Sequence, residues 1–146
     1  MDRNSGHAIG TYHDAVDNFF SPYFRPQEMG NRTDVRWVTL TNAQGIGLLA
    51  VGNPLMEINA LHATPRALEN VHHPDEVAIT RDVILRVNYR QTGVGGDNSW
   101  NASGMPYEKY CIKPEGTYRF VFRLKPILTA NSSMKVGKQG FNNLMR

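Results

Sequence analysis

The segment Gly93-Val94-Gly95-Gly96-Asp97-Asn98-Ser99-Trp100 carries the residues of this chain best suited to chemistry. Three glycines in four positions give up side chains and ordering entropy, which suits a backbone that turns sharply or approaches something closely. Asp97, Asn98 and Ser99 follow, and short polar side chains of this kind can lock a turn by bonding to nearby backbone. Trp100 closes the run with a flat apolar ring and one N–H donor. An indole presented at the far side of a rigid turn suits stacking on the apolar face of a sugar ring. It equally suits capping a hydrophobic core, and the residues alone leave both readings open.

Other candidates are weaker. Hydrolysis of a glycosidic bond usually takes two carboxyl groups ~5–9 Å apart across the scissile bond. None of the 13 acids forms a recognisable pair of that kind. Asp34 reads as locally paired, Asp97 as the fastener of the glycine turn, and Glu57, between Met56 and Ile58, as an exposed strand residue. His72-His73 would point to opposite faces of a strand and have no third ligand, so they read as a surface loop. His62 lies just ahead of a short helix, in a place to orient that loop. Cys111 is the only cysteine. It has no activating neighbour, reads as a buried apolar residue, and excludes an intrachain disulfide or a CxxC metal site. No phosphate loop, serine elbow or dinucleotide fingerprint is present.

The elements that must hold these residues are mostly strands. Residues 82–90 alternate Val83, Leu85, Val87 and Tyr89 against Arg86, Asn88 and Arg90. Residues 117–124 alternate Tyr118, Phe120, Phe122 and Leu124 against Thr117, Arg119 and Arg123. Residues 35–41 place Val35, Trp37 and Thr39 opposite Arg36, Val38 and Leu40. Period-two patterning with β-branched and aromatic residues predicts half-buried antiparallel strands. Shorter strands are expected at 46–51 and 55–60, parted by a turn at Gly52-Asn53-Pro54, and at 107–112. Thr64-Pro65-Arg66-Ala67-Leu68-Glu69 predicts a capped helix of about two turns, and 14–20 a single turn. The expected fold class is all-β, an antiparallel sandwich of roughly six to nine strands.

Composition fits a soluble globular chain of 146 residues, 40% hydrophobic and 20% charged. No apolar run approaches the ~18 residues of a membrane span, and the first twenty residues lack a secretion signal. No membrane partner is therefore expected, and a cytoplasmic setting is. The net charge of +3 arises beyond residue 124, where Lys125, Lys135, Lys138 and Arg146 meet no acid. Four dispersed charges make a poor nucleic-acid footprint, so no nucleic-acid partner is expected. Residues 127–146 read as a basic polar tail, expected to be mobile.

Gly93 to Trp100 resembles the G-[IVM]-G-G-D-x-S-W segment of the large bacterial β-galactosidases of glycoside hydrolase family 2. The stretch Ser21 to Trp37 is similar to that family's P-Q-E-N-G-x-R-x-D-V-R-W signature. Leu61-His62-Ala63-Thr64 resembles its A-L-H-x-T turn, Tyr118 to Leu124 its closing strand, and Asp2-Arg3 its D-R pair. The resemblance runs from residue 2 to about 126, in the family's order. Met29 stands where the family commonly has Asn, and Asn98 where a second Asp is frequent.

The resemblance implies that residues 1–126 are the second half of a C-terminal supersandwich of galactose-mutarotase type, with the first half and a catalytic barrel lying upstream. It implies that hydrolysis of terminal β-D-galactosides uses glutamates outside this chain, and magnesium and sodium bound elsewhere, so no cofactor is expected here. By the same token Trp100, with Asp97, Asn98 and Ser99, would face the sugar, and Gly93, Gly95 and Gly96 would shape the loop. Arg32, Asp34, Arg36 and His62 would stabilise the domain or its contact with the barrel. Half a sandwich would leave strand edges and an apolar face uncovered, which predicts self-association. A stand-alone carbohydrate-binding or interaction module is the alternative.

Overall fold

The computed structural model describes residues 9–93, 97–98 and 101–128. Among them are the strands β1 (Arg32–Thr41), β2 (Gly47–Leu61), β3 (Ile84–Asn88) and β4 (Val121–Ile127), and one short helix, α1 (Pro65–Glu69). Single 3-10 turns occur at Val16–Phe19, Pro74–Glu76, Ala102–Gly104 and Glu108–Tyr110. Every strand pair is antiparallel. The class is all-β, as the alternation predicts.

The 15-residue β2 is the axis of the sheet. β1 follows one side of it, from Arg32 opposite Ile58 to Thr41 opposite Gly47. The other side is shared. β4 lies beside Gly47 to Asn53, and β3 lies beside Glu57 to Leu61. The described residues therefore build one open four-stranded sheet.

Four expectations about the strands are corrected. The turn at Gly52-Asn53-Pro54 does not form; those residues continue β2, with Gly52 paired to Phe122 and Asn53 to Val121. Proline is tolerated there because β1 has no residues paired to positions 52–55, so no ladder N–H is lost on that side. The strand expected from Thr117 begins only at Val121. Extending the register one step back would set Phe120 against Pro54, which has no N–H to donate. Residues 107–112 turn rather than extend, with Tyr110 N–H bonded to Tyr107 O and Cys111 N–H to Glu108 O.

The fourth correction concerns β1. Val35 pairs with Met56 and Trp37 with Val51, so two steps on β1 answer five on β2. An odd excess reverses the alternation. Val35 and Val38 consequently share a face with Ala50, Met56 and Ile58, whereas Trp37 packs with Leu49, Val51 and Ile127 on the opposite face. A third cluster of Met29, Leu61, Ala63, Leu68 and Val77 forms where α1 folds back beside the end of β2. The helix starts where expected. Thr64 is extended and its hydroxyl accepts from Ala67 N–H at 3.2 Å, with Pro65 next in the chain, though the helix is one short turn rather than two.

Candidate functional site

β3 ends at Asn88, and the described residues that follow lie outside the sheet until β4. Aromatic rings fix the exit. Tyr89 stacks on Phe120 at 5.7 Å, Phe120 on Phe122 at 5.7 Å, and the Arg90 guanidinium lies over Tyr89 and Tyr118 at 5.2 and 5.3 Å. Thr92 and Gly93 are then bolted to the returning chain. Ile112 N–H donates to Thr92 Oγ1 at 2.9 Å, and Gly93 N–H donates to Tyr110 O at 2.9 Å.

Gly93 must be glycine for a steric reason. A Cβ there would lie 2.8 Å from Tyr110 Cβ and 3.3 Å from Pro106 Cβ. The next fixed point is Asp97. Its N–H donates to Ser103 O at 2.7 Å, and its carboxylate accepts the Tyr107 hydroxyl. That hydrogen bond holds the phenolic proton, so the Tyr107 pKa is raised above the ordinary tyrosine value. Asn98 caps the following turn by accepting Asn101 N–H at 3.4 Å. Gly95, Gly96, Ser99 and Trp100 lie outside the described residues.

The domain-contact candidates fall in two places. Arg32 donates from Nη1 to Gly30 O at 3.0 Å and lies over the Phe19 ring at 4.3 Å. Asp34 takes φ +55° in a bulge where Arg32 pairs with Ile58 and Val35 with Met56, three steps against two. Arg36 is exposed one residue further on. His62 follows Leu61, the last residue of β2, close to the end where Arg32 pairs with Ile58. Its Nδ1 is 3.1 Å from Thr80 O and 3.2 Å from Asp82 O, so this nitrogen carries the proton. Nε2 is 3.6 Å from Asp17, beside an apolar depression of about 290 Å³ lined by Val16, Phe20, Pro74 and Ile79. The loop that His62 contacts is the one at residues 80–82, rather than the turn into α1 that the sequence suggested.

Two residues read as bland are more engaged than expected. Glu57 is half-buried rather than exposed, and it accepts Asn31 Nδ2 at 2.8 Å. The same amide reaches Gln91 Oε1 at 3.2 Å, which joins the 28–32 segment to the strand exit leading to Gly93. Cys111 is half-buried, with Sγ 3.6 Å from both Pro106 O and Tyr107 O, because its turn carries it only partly under the loop. The Tyr107–Asp97 and Tyr110–Gly93 anchors escape strand-period reasoning, since they join loop to loop.

Among the described residues no group of three or more His, Cys, Asp or Glu could hold a metal ion. No helix among them is long and apolar enough to cross a membrane.

The sequence model of the family described as "Beta galactosidase small chain" matches residues 1–124. A β-galactosidase of Priestia megaterium is 44% identical over 126 residues, covering 86% of this chain and 12% of that protein. One from Halalkalibacterium halodurans is 35% identical over 128 residues, covering 86% and 12%. One from Lactobacillus delbrueckii subsp. bulgaricus is 34% identical over 128 residues, covering 87% and 12%. The chain thus spans about an eighth of the length of the curated relatives it matches. On the strength of the family match, this chain belongs to the beta-galactosidase small-chain family.

Proposed function

We propose that this chain serves a β-galactosidase of glycoside hydrolase family 2 as the second half of its C-terminal supersandwich, and lends a sugar-facing loop to hydrolysis of terminal β-D-galactosides. The acid/base and nucleophile carboxylates, and the magnesium and sodium of such enzymes, would come from polypeptide outside these residues. The observation that carries the reading is the double anchoring of the glycine segment. Gly93 is seated against Tyr110, and Asp97 is held by Tyr107 and Ser103 O. Fixing a loop on both sides of Gly95 and Gly96 is what positioning an aromatic wall against a pyranose requires, because a near-attack geometry tolerates little drift. Trp100, three residues past Asp97, would supply that wall, with Asp97, Asn98 and Ser99 as its polar margin.

The sandwich reading draws support from the sheet. Phe122 and Leu124 pair with Gly52 and Ala50 on the face that carries Met56 and Ile58, yet they remain 42% and 53% exposed. A second layer laid over them would bury apolar surface worth about 25 cal/mol per Å². In the free chain the same surface would favour self-association. The experiment is an assay with an aryl β-galactoside on the purified chain, on the remaining polypeptide of the enzyme, and on the two combined. The reading expects no turnover from the chain alone and restored turnover on combination. Turnover by the chain alone would defeat it.

A further inference from the structure

We propose that Asn31, Glu57 and Asn59 bind a small hard cation on their side-chain oxygens, at the seam between the 28–32 segment and β2. Asn59 is buried, 3% exposed, and its Nδ2 donates to Met29 O at 2.6 Å. Asn31 Nδ2 donates to Glu57 Oε2 at 2.8 Å and to Gln91 Oε1 at 3.2 Å. Each amide is therefore orientated by acceptors on its nitrogen side, and rotating either one would turn oxygen against oxygen. Both Oδ1 atoms are buried and find no hydrogen-bond partner among the described residues. A buried polar atom of this kind destabilises the fold unless something satisfies it.

The two oxygens belong to one locality. Asn31 and Met29 flank Gly30, and Asn59 Oδ1 lies 3.4 Å from where a Cβ on Gly30 would stand. Glu57 and Asn59 are two apart on β2, on the same face of the strand. Of the nearby guanidinium groups, Arg86 pairs with the Glu28 carboxylate, and Arg32 lies over the Phe19 ring and donates to the backbone oxygens of Gly30 and Asn31 at 3.0 and 3.5 Å, leaving the side-chain oxygens to another partner. Glu57 makes no ion pair among the described residues, and it adds one negative charge to two amide oxygens. Oxygen-only donors suit a hard ion over a softer transition metal, and the carboxylate favours a cation over neutral water.

The test is thermal unfolding of the full chain in choline chloride, with sodium, magnesium or calcium chloride substituted at constant ionic strength. A saturable rise in Tm with at least one of these cations, abolished in Glu57→Gln and in Asn31→Ala, is the expected result. Both substituted side chains are only half-buried, so the variants should fold. Should either fail to, equilibrium dialysis of the unaltered chain with metal analysis gives the answer directly, stoichiometric binding supporting the site and its absence overturning it. Equal Tm in choline and in all three cations would assign the two oxygens to water and overturn the proposal, as would an undiminished rise in both variants.

Discussion

The Tyr107 phenol donates its hydrogen bond to the Asp97 carboxylate, so a residue on the returning arm of the loop grips the one three places before Trp100. The bond is stronger while the phenol keeps its proton, and that proton is harder to remove in the folded chain than in the unfolded one. Stability from this contact is therefore complete below the ordinary tyrosine pKa of 10.0 and is lost as pH rises through the higher folded value. An NMR titration of ring-labelled tyrosine should show Tyr107 titrating later than in an unfolded reference. Asp97→Asn should bring it back. An unchanged midpoint in that variant would break the assignment.

Glu76 gives the opposite sign. Backbone N–H groups of His72 and then His73 donate to its carboxylate, at 2.7 and 3.2 Å, and lower its pKa below 4.5. Its contribution is present above pH 4.5 and disappears as pH falls through the lower folded value. Glu76→Gln should therefore flatten the acid limb of the stability profile measured by urea denaturation. An acid limb as steep as the parent's would contradict this.

Gly93→Ala places a methyl group 2.8 Å from Tyr110 Cβ. Relief requires the loop to separate from residues 106–110, at a cost of about 1–3 kcal/mol. Equilibrium unfolding should show that loss, and the complete enzyme a lower kcat/KM. A variant as stable as the parent would show that Tyr110 yields freely.

Leu49 is fully buried in the cluster with Val51, Ile127 and Trp37. Leu49→Ala should cost about 2–5 kcal/mol in chemical denaturation. Leu124, on the other face and 53% exposed, should behave differently. Leu124→Lys is expected to change stability by less than about 0.5 kcal/mol while weakening the concentration-dependent association of the free chain in sedimentation velocity. A parent chain that stays monomeric at high concentration would remove the association from the account.

Much of the sheet is legible in the sequence because it obeys a period of two. β3 is the clear case, with Leu85 and Val87 alternating against Arg86 and Asn88. The faces of β1 were not legible, because the reversal between Val35 and Trp37 comes from extra residues on the partner strand. Likewise the start of β4 depends on Pro54, a residue 67 positions away from Val121. The glycine segment announced itself by composition. Its anchors did not, since Tyr107 and Tyr110 carry no periodic signal and act through single hydrogen bonds. Asn31 and Glu57 were hidden for the same reason.

Contact between the indole of Trp100 and the sugar is tested most directly by steady-state kinetics of Trp100→Ala and Trp100→Phe in the complete enzyme. Loss of stacking should raise KM for an aryl galactoside about ten-fold in the alanine variant, equivalent to ~1.4 kcal/mol, with substantial recovery in phenylalanine and an unaltered unfolding curve. Parental kcat and KM in Trp100→Ala would place the sugar elsewhere and contradict the assignment.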